Sequence, residues 1–465
     1  NSNIDNPYGN NMTDSISNKN DDDSKSNQSE HIFHVMPPAS GALSKDVPIV
    51  NSKETIYQKT EGAELVEPEA HEQKKKSTIF GASFMLTNLC LGTTIFTFAV
   101  RAKAFGLVWF LITCCVVAVV NYWSIMKCVI ASSRCPKKDD YSEITEEILG
   151  KKMRIVLNVF IILYSYGFCM CYLALVYSLF GRFIYSAGYS KDYLDYLDFF
   201  EKVWGRPYIK FPFYAGIAFF ISLMCLIKDI NKLNFSAYIG VAACIYGLFV
   251  VMIECHSYYQ YYKEERYVES DKSTHANWID LGQAFTKKLD FFKGISTLFA
   301  AYACHPGIFP VYAGFKFQEG QGIRKMKLST FFGTLLTTAL HIISITCAYL
   351  TDPITPEDLI VYRKNKGTGK DIAMVIAKLL VSISLIFTFP GYYFTLRLSI
   401  ANSFTGGKIS NKFNYIITFC SCFGCAIVAA VYDKILNYLN YIGGFLSVFI
   451  CYLNPNILCI YSSNR

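Results

Sequence analysis

The chain has 465 residues, of which 52% are hydrophobic, 16% aromatic and only 17% charged, whereas about a quarter of the residues in a soluble globular chain carry charge. This composition excludes an ordinary soluble domain and places the chain among integral membrane proteins. Its net charge of +8 comes without a basic face interleaved with aromatics, since Lys and Arg lie mostly between apolar runs, and nucleic acid is excluded as a partner.

Residues 1–73 are polar and low in complexity, as in SNKNDDDSKSNQSE. They cannot bury enough apolar surface to offset chain entropy, so a disordered N-terminal tail is predicted. With neither an initiator Met nor a short apolar leader, the chain is expected to begin inside a longer sequence, and the first span acts as its own insertion signal. Residues 74–465 form the predicted transmembrane domain. About ten apolar segments there approach or exceed the roughly twenty residues that cross the hydrocarbon core. They are Thr78–Val100, Phe105–Met126, Ile155–Phe180, Phe211–Ile227, Leu233–Ile253, Gly294–Phe315, Leu328–Leu350, Ile372–Leu396, Phe413–Tyr432 and Ile435–Ser462. The period-two alternation of barrel strands is absent, so the segments are helices and the fold class is an all-α polytopic membrane protein in a lipid bilayer. Between them, Tyr141–Gly150 (YSEITEEILG) reads as a short interfacial helix and Tyr262–Lys293 as a long charged loop.

The positive-inside rule gives little overall bias. Discounting the long outer loops, it places the N-terminus in the cytosol, with Lys74 to Lys76 and the cluster Arg134, Lys137, Lys138, Lys151, Lys152 and Arg154 on the same side. The 17 cysteines, among them Cys114, Cys115, Cys169, Cys171 and Cys420, lie mostly inside apolar runs without ligand spacing, and they read as small packing residues rather than a metal set.

Two spans carry interruptions. The first holds Leu91-Gly92-Thr93-Thr94, a Gly followed by two β-branched hydroxyl residues; close packing through small residues would explain it alone. The sixth holds Cys304-His305-Pro306-Gly307, where Pro306 removes a backbone donor and clashes with the carbonyl four residues earlier, so a break is expected at Pro306 and Gly307. With five spans per half, the first and sixth are corresponding members of two repeats. Such a pair of Gly/Pro-interrupted segments is the sequence pointer to a transporter's binding site. A zwitterion suits it, since a half-helix N-terminus offers amides to a carboxylate and the opposite end offers carbonyls to an ammonium.

GASFMLTNLCLGTTIFTFAVRAKAFG resembles the first span of the amino acid/auxin permease family. FAAYACHPGIFPVYAGF resembles its sixth span, AKLLVSISLIFTFPGYYFTLRLSI its eighth and YIGGFLSVFICYLNPNILCIY its tenth. The resemblance runs from about Lys76 to the end. It implies the leucine-transporter fold of two inverted five-helix repeats with broken helices 1 and 6, working by alternating access with proton or sodium coupling. There are departures: Gly-Thr-Thr stands where the family commonly has Gly-Ser-Gly, Phe98-Ala99-Val100 replaces a following Pro, and about ten spans stand against the family's usual eleven, which is expected if the chain is cut before the last.

By position, the resemblance implies that Gly92, Thr93 and Thr94 face the substrate carboxylate, that Ala303, Cys304 and His305 line the opposite side, and that Asn88 and Thr388 hold the ion. Ser384 lies one turn before Thr388 on the same helical face. Both hydroxyls could serve a cation, or they could merely bond the preceding turn. His305 could relay protons or serve only the break. Lys378, ionisable in an apolar run, is expected to snorkel or to meet Asp371, and His341 to be a satisfied interior residue. No GxSxG, HExxH, Walker lysine loop or paired intramembrane Asp is found, so neither an enzyme nor an ATP-driven pump is expected, nor any cofactor or metal beyond a possible sodium ion. The expectation is thus a secondary transporter of amino acids in the plasma membrane or a vacuolar or lysosomal membrane. The alternative is an amino acid sensor that signals through its N-terminal tail.

Overall fold

The computed structural model describes residues 78–92, 94–136, 138–188, 199–227, 234–267, 288–316, 321–351, 360–362, 371–406, 410–432 and 435–463. The predicted tail at 1–73 and Thr93 lie outside them. Every regular element among the described residues is helical.

The first span is divided between α1 (Ile79–Leu91) and α2 (Phe98–Phe105), with a 3₁₀ turn, Thr94–Phe96, between them. The chain continues through α3 (Leu107–Ser133), the short α4 (Tyr141–Leu149), α5 (Lys151–Gly188), α6 (Pro207–Cys225) and α7 (Asn234–Tyr267). The sixth span is divided between α8 (Lys288–Ala301) and α9 (His305–Lys316). Then follow α10 (Gly322–Thr351), α11 (Ile372–Phe404), α12 (Asn411–Val431) and a last span made of α13 (Ile435–Tyr441), the π-helical stretches Ile442–Leu446 and Val448–Leu453, and α14 (Asn454–Ser463). Side-chain caps fix several starts. Thr78 Oγ1 accepts from the Gly81 amide at 3.1 Å, Asp371 Oδ1 from Met374 at 2.9 Å and Ser410 Oγ from Phe413 at 3.2 Å, satisfying amides that have no partner within the helix.

Eight helices among the described residues are long and apolar enough to cross a membrane; the two remaining expected spans are the interrupted ones. The expected interfacial helix is α4, whereas the expected loop at 262–293 is partly helical, since α7 runs on to Tyr267 and α8 begins at Lys288. The distribution of side chains is inverted relative to a soluble bundle. On α3, Trp109, Ile112, Val116, Val119 and Trp123 are exposed at three- and four-residue spacing while Asn121 and Ser124 are buried, as expected where the surrounding solvent is hydrocarbon. The chain is an integral multi-pass membrane protein.

The longest helices set the frame. α11 packs along α5 and α7, and α12 along α6 and α5. A second group joins α1 to α10, α10 to α3, and α9 to α3. The two helix interruptions meet where these groups face each other.

Candidate functional site

The first interruption starts at Gly92, whose φ of 28° and ψ of −138° suit a residue without Cβ. A Cβ there would stand 2.5 Å from Tyr172 Oη. Several carbonyls of the interrupted stretch accept from hydroxyls. Tyr392 Oη donates to Leu89 O at 2.6 Å and Thr94 Oγ1 to Leu91 O at 3.4 Å. Thr97 Oγ1 donates to Thr94 O at 2.8 Å, and Ser344 Oγ of α10 donates to Ile95 O. In a span with no water to solvate them, such carbonyls need donors. Tyr172 Oη is itself buried and has no hydrogen-bond partner among the described residues.

The second interruption comprises Tyr302, Ala303 and Cys304, so the break lies just before the position expected from Pro306. Pro306 is the second residue of α9 and Gly307 the third; in a first turn the amide that proline lacks has no helical acceptor anyway, so proline starts this half-helix rather than disrupting it. Gly307 N donates to Cys304 O at 3.0 Å, and Ala303 O accepts from Tyr164 Oη of α5. A Cβ on Gly307 would meet Leu89 Cδ1 at 2.5 Å, and the Cys90 thiol lies against that of Cys304. The start of α9 therefore rests on the last turn of α1, which brings the Gly92 and the Ala303–His305 sides together. His305 is fully buried, its ring is 6.0 Å from that of Tyr452, and neither of its ring nitrogens has a partner among the described residues.

The groups that bond or stack on the two breaks are neutral: Tyr164, Phe168, Tyr172, Thr94, Ser344 and Tyr392. Arg101, one turn into α2, donates to Asn440 Oδ1 of α13 at 3.1 Å.

Beside the first break, Asn88 and Ser384 meet at Gly240 of α7, with Thr388 next to both. Thr388 Oγ1 donates to Ser384 O at 2.9 Å and lies 3.5 Å from Asn88 Oδ1. Ser384 Oγ donates to Gly240 O at 3.0 Å, and a Cβ on Gly240 would run into Asn88 Oδ1. Of the two hydroxyls, Thr388 bonds its own preceding turn while Ser384 bonds across to another helix. With their protons given to backbone carbonyls, both keep lone pairs next to Asn88 Oδ1, a set of neutral oxygens of the kind that hard cations take as ligands.

Lys378 Nζ donates to Ser186 Oγ at 3.0 Å, while Asp371 caps α11 and accepts from Tyr258 Oη at 2.7 Å, so each has a partner other than the one expected from sequence. His341 is interior, held edge-on between Phe98 and Tyr302 with ring centroids 5.0 Å from each. Its nitrogens, however, have no hydrogen-bond partner among the described residues. Tyr164, Tyr172, Tyr392 and Gly240 were not singled out from sequence. A signal did exist, since Tyr164, Phe168 and Tyr172 repeat at four-residue spacing deep in a span, and a buried tyrosine hydroxyl needs a partner there.

Residues 75–464 match the family profile described as transmembrane amino acid transporter protein. Among curated proteins, the chain is 21% identical over 336 residues to sodium-coupled neutral amino acid transporter 7 of Bos taurus, a match covering 70% of this chain and 64% of that protein. It is 22% identical over 333 residues to amino acid transporter AVT6E of Arabidopsis thaliana, covering 70% of this chain and 63% of that protein. The matched region thus spans less than two thirds of the length of these relatives.

Proposed function

Because the chain belongs to the family of transmembrane amino acid transporter proteins, we propose that it carries neutral amino acids across its membrane by alternating access, coupled to sodium. The observation that carries this reading is the meeting of two helix interruptions in a site bounded by neutral groups. The start of α9 and the turn after Gly92 offer amide dipoles to a carboxylate, with Tyr172 Oη as a further donor, and the end of α1 offers carbonyls to the ammonium. With only neutral side chains on the two breaks, a charged substrate side chain would be desolvated without a counter-ion, which disfavours acidic and basic amino acids.

Asn88, Ser384 and Thr388 are the proposed sodium ligands, with Gly240 O beside them. The set contains no carboxylate to carry a proton, which favours sodium over proton coupling, and the Bos taurus relative is named as sodium-coupled. The two-repeat architecture is supported by packing: α3 lies against α10, α5 against α11 and α6 against α12, each span beside its counterpart five spans later. In this reading α1, α2, α3, α8, α9 and α10 rock against the α5–α11 frame, and the Lys and Arg residues around α4 support a cytosolic position for that end. The sensor alternative finds no support in the family or the named relatives, which are transporters.

Uptake into proteoliposomes with sodium and pH gradients imposed separately tests the reading. Sodium-driven uptake of neutral amino acids, weakened by Asn88→Ala or Thr388→Val, is expected; uptake driven by a pH gradient alone contradicts the sodium assignment.

A further inference from the structure

At each helix break a backbone carbonyl accepts from a phenol of the opposite helix group. Tyr164 of α5 donates to Ala303 O in the second break, and Tyr392 of α11 donates to Leu89 O at the first, at 2.6 Å. All three aromatic rings involved are buried, Tyr164 and Phe168 to 1% exposure and Tyr392 to 4%. They also pack as one cluster, Phe168 stacked on Tyr392 and Tyr164 edge-on to Phe168. Tyr164 lies 5.0 Å from Phe168, Phe168 lies 4.5 Å from Tyr392 with an interplanar angle of 24°, and the two tyrosine rings are 6.1 Å apart.

We propose that Tyr164 and Tyr392 are positioning residues that act as a two-ended clamp, each fixing one helix break to the α5–α11 frame and the pair coupling the breaks through Phe168. The assignment of substrate to the breaks rests on the function proposed above; the clamp itself rests on the phenol–carbonyl bonds and the ring stack. Without its phenol, the carbonyl of Leu89 or Ala303 loses the hydroxyl that holds it and has no water in the hydrocarbon zone to replace it, so the unwound backbone turns to find another donor. The amides of the same turns then lose their aim, and the ring that held them transmits the shift across the stack, because close-packed aromatics cannot yield independently. The two ends of a zwitterion would therefore be gripped or released together.

The test compares Tyr164→Phe and Tyr392→Phe with Tyr393→Phe. Tyr393 is an equally buried neighbour on α11 that donates to Thr418 Oγ1 of α12 at 2.9 Å and touches neither break. Phenylalanine keeps the ring and removes only the donor. In reconstituted protein, the first two substitutions should each raise KM for a neutral amino acid about tenfold with little change in maximal rate. The double variant should cost less than the product of the singles, and Tyr393→Phe should leave KM within about twofold of wild type.

Hydrogen–deuterium exchange on the same proteins without substrate gives a second readout that survives if the wild type moves no amino acid at all. Tyr164→Phe should speed exchange not only at Ala303–Gly307 but also around Gly92–Ile95, and Tyr392→Phe should do the converse. Exchange confined to the mutated side would overturn the coupling. Exchange and KM no different from Tyr393→Phe would overturn the clamp, whereas loss of transport activity in the wild type alone would count against the proposed function and not against the clamp.

Discussion

At Gly92 the backbone adopts a φ of 28°, and the space a side chain would need is occupied by Tyr172 Oη. Any L-residue there strains the backbone by about 1 to 3 kcal/mol before sterics are counted, and Gly92→Leu must also displace a buried phenol. Uptake by Gly92→Leu should fall to background while surface biotinylation stays near wild type; uptake near wild type would remove Gly92 from the site. Gly240 makes a separate demand, because its missing Cβ is what lets Asn88 approach Ser384. Gly240→Ala should push Asn88 away and raise the half-saturating sodium concentration at least tenfold, measured by uptake at varied sodium, with a smaller effect on the KM for amino acid at saturating sodium. Asn88, Ser384 and Thr388, singled out in the sequence through resemblance and helical spacing, lie side by side. Gly240 was not singled out, since one glycine in an apolar span looks like any other until the helix it faces is known.

The element whose role is most fully described outside the membrane is α4. Its capping residue Asp140 accepts from the Ser142 amide at 2.9 Å and from Asn402 Nδ2 of α11 at 2.7 Å. Arg154 donates to Asn402 O at 2.8 Å and pairs with Glu146. Lys316, at the end of α9, donates to Cys135 O at 3.0 Å and Asp139 Oδ1 at 3.2 Å, and Tyr141 stacks on Phe309 at 4.4 Å. One short helix thus ties α9 to the start of α5 and the end of α11.

Removing the amide in Asn402→Ala leaves Asp140 short of a donor and should lower stability by about 1 to 3 kcal/mol, read as a lower melting temperature in detergent. Burial raises the Asp140 carboxyl above its usual range, against the pull of the Ser142 hydrogen bonds. The folded state therefore holds this proton more tightly than the unfolded chain does. Its contribution to stability is complete below the ordinary carboxylate value of about 3.9 and is lost as pH rises through the raised one. The melting temperature of the wild type should fall relative to that of Asp140→Asn as pH increases over this window; a relative rise would contradict the assignment. At this scale the sequence was informative where backbone chemistry is local. Gly92 and Pro306 announced interruptions, and YSEITEEILG announced α4. The position of the second break, Tyr302–Cys304 rather than Pro306 itself, depended on the first-turn tolerance of proline. The phenols that hold the breaks come from helices distant in sequence, so no local pattern revealed what they bond.

Among the described residues of the helical unit, apolar side chains are exposed and many polar ones buried, and the two helix groups meet at the interrupted spans. In the proposed function, substrate moves as the groups rock past each other while the site stays between them. The membrane class was legible from composition, and the eight helices among the described residues that are long and apolar enough to cross a membrane from their apolar runs, because both follow from the thickness of the bilayer rather than from which helices touch. Deleting residues 1–73 should leave the rate and sodium dependence of uptake within about twofold of the full chain in proteoliposomes, as a transporter rather than a sensor requires. The most direct single measurement is counterflow of a panel of labelled amino acids in proteoliposomes, with wild type and Gly92→Leu side by side. Accumulation of neutral amino acids by the wild type, with acidic and basic ones excluded and Gly92→Leu inactive, is the predicted result. Absence of counterflow for every amino acid, or equal counterflow by the two proteins, would contradict a zwitterion held between the two breaks.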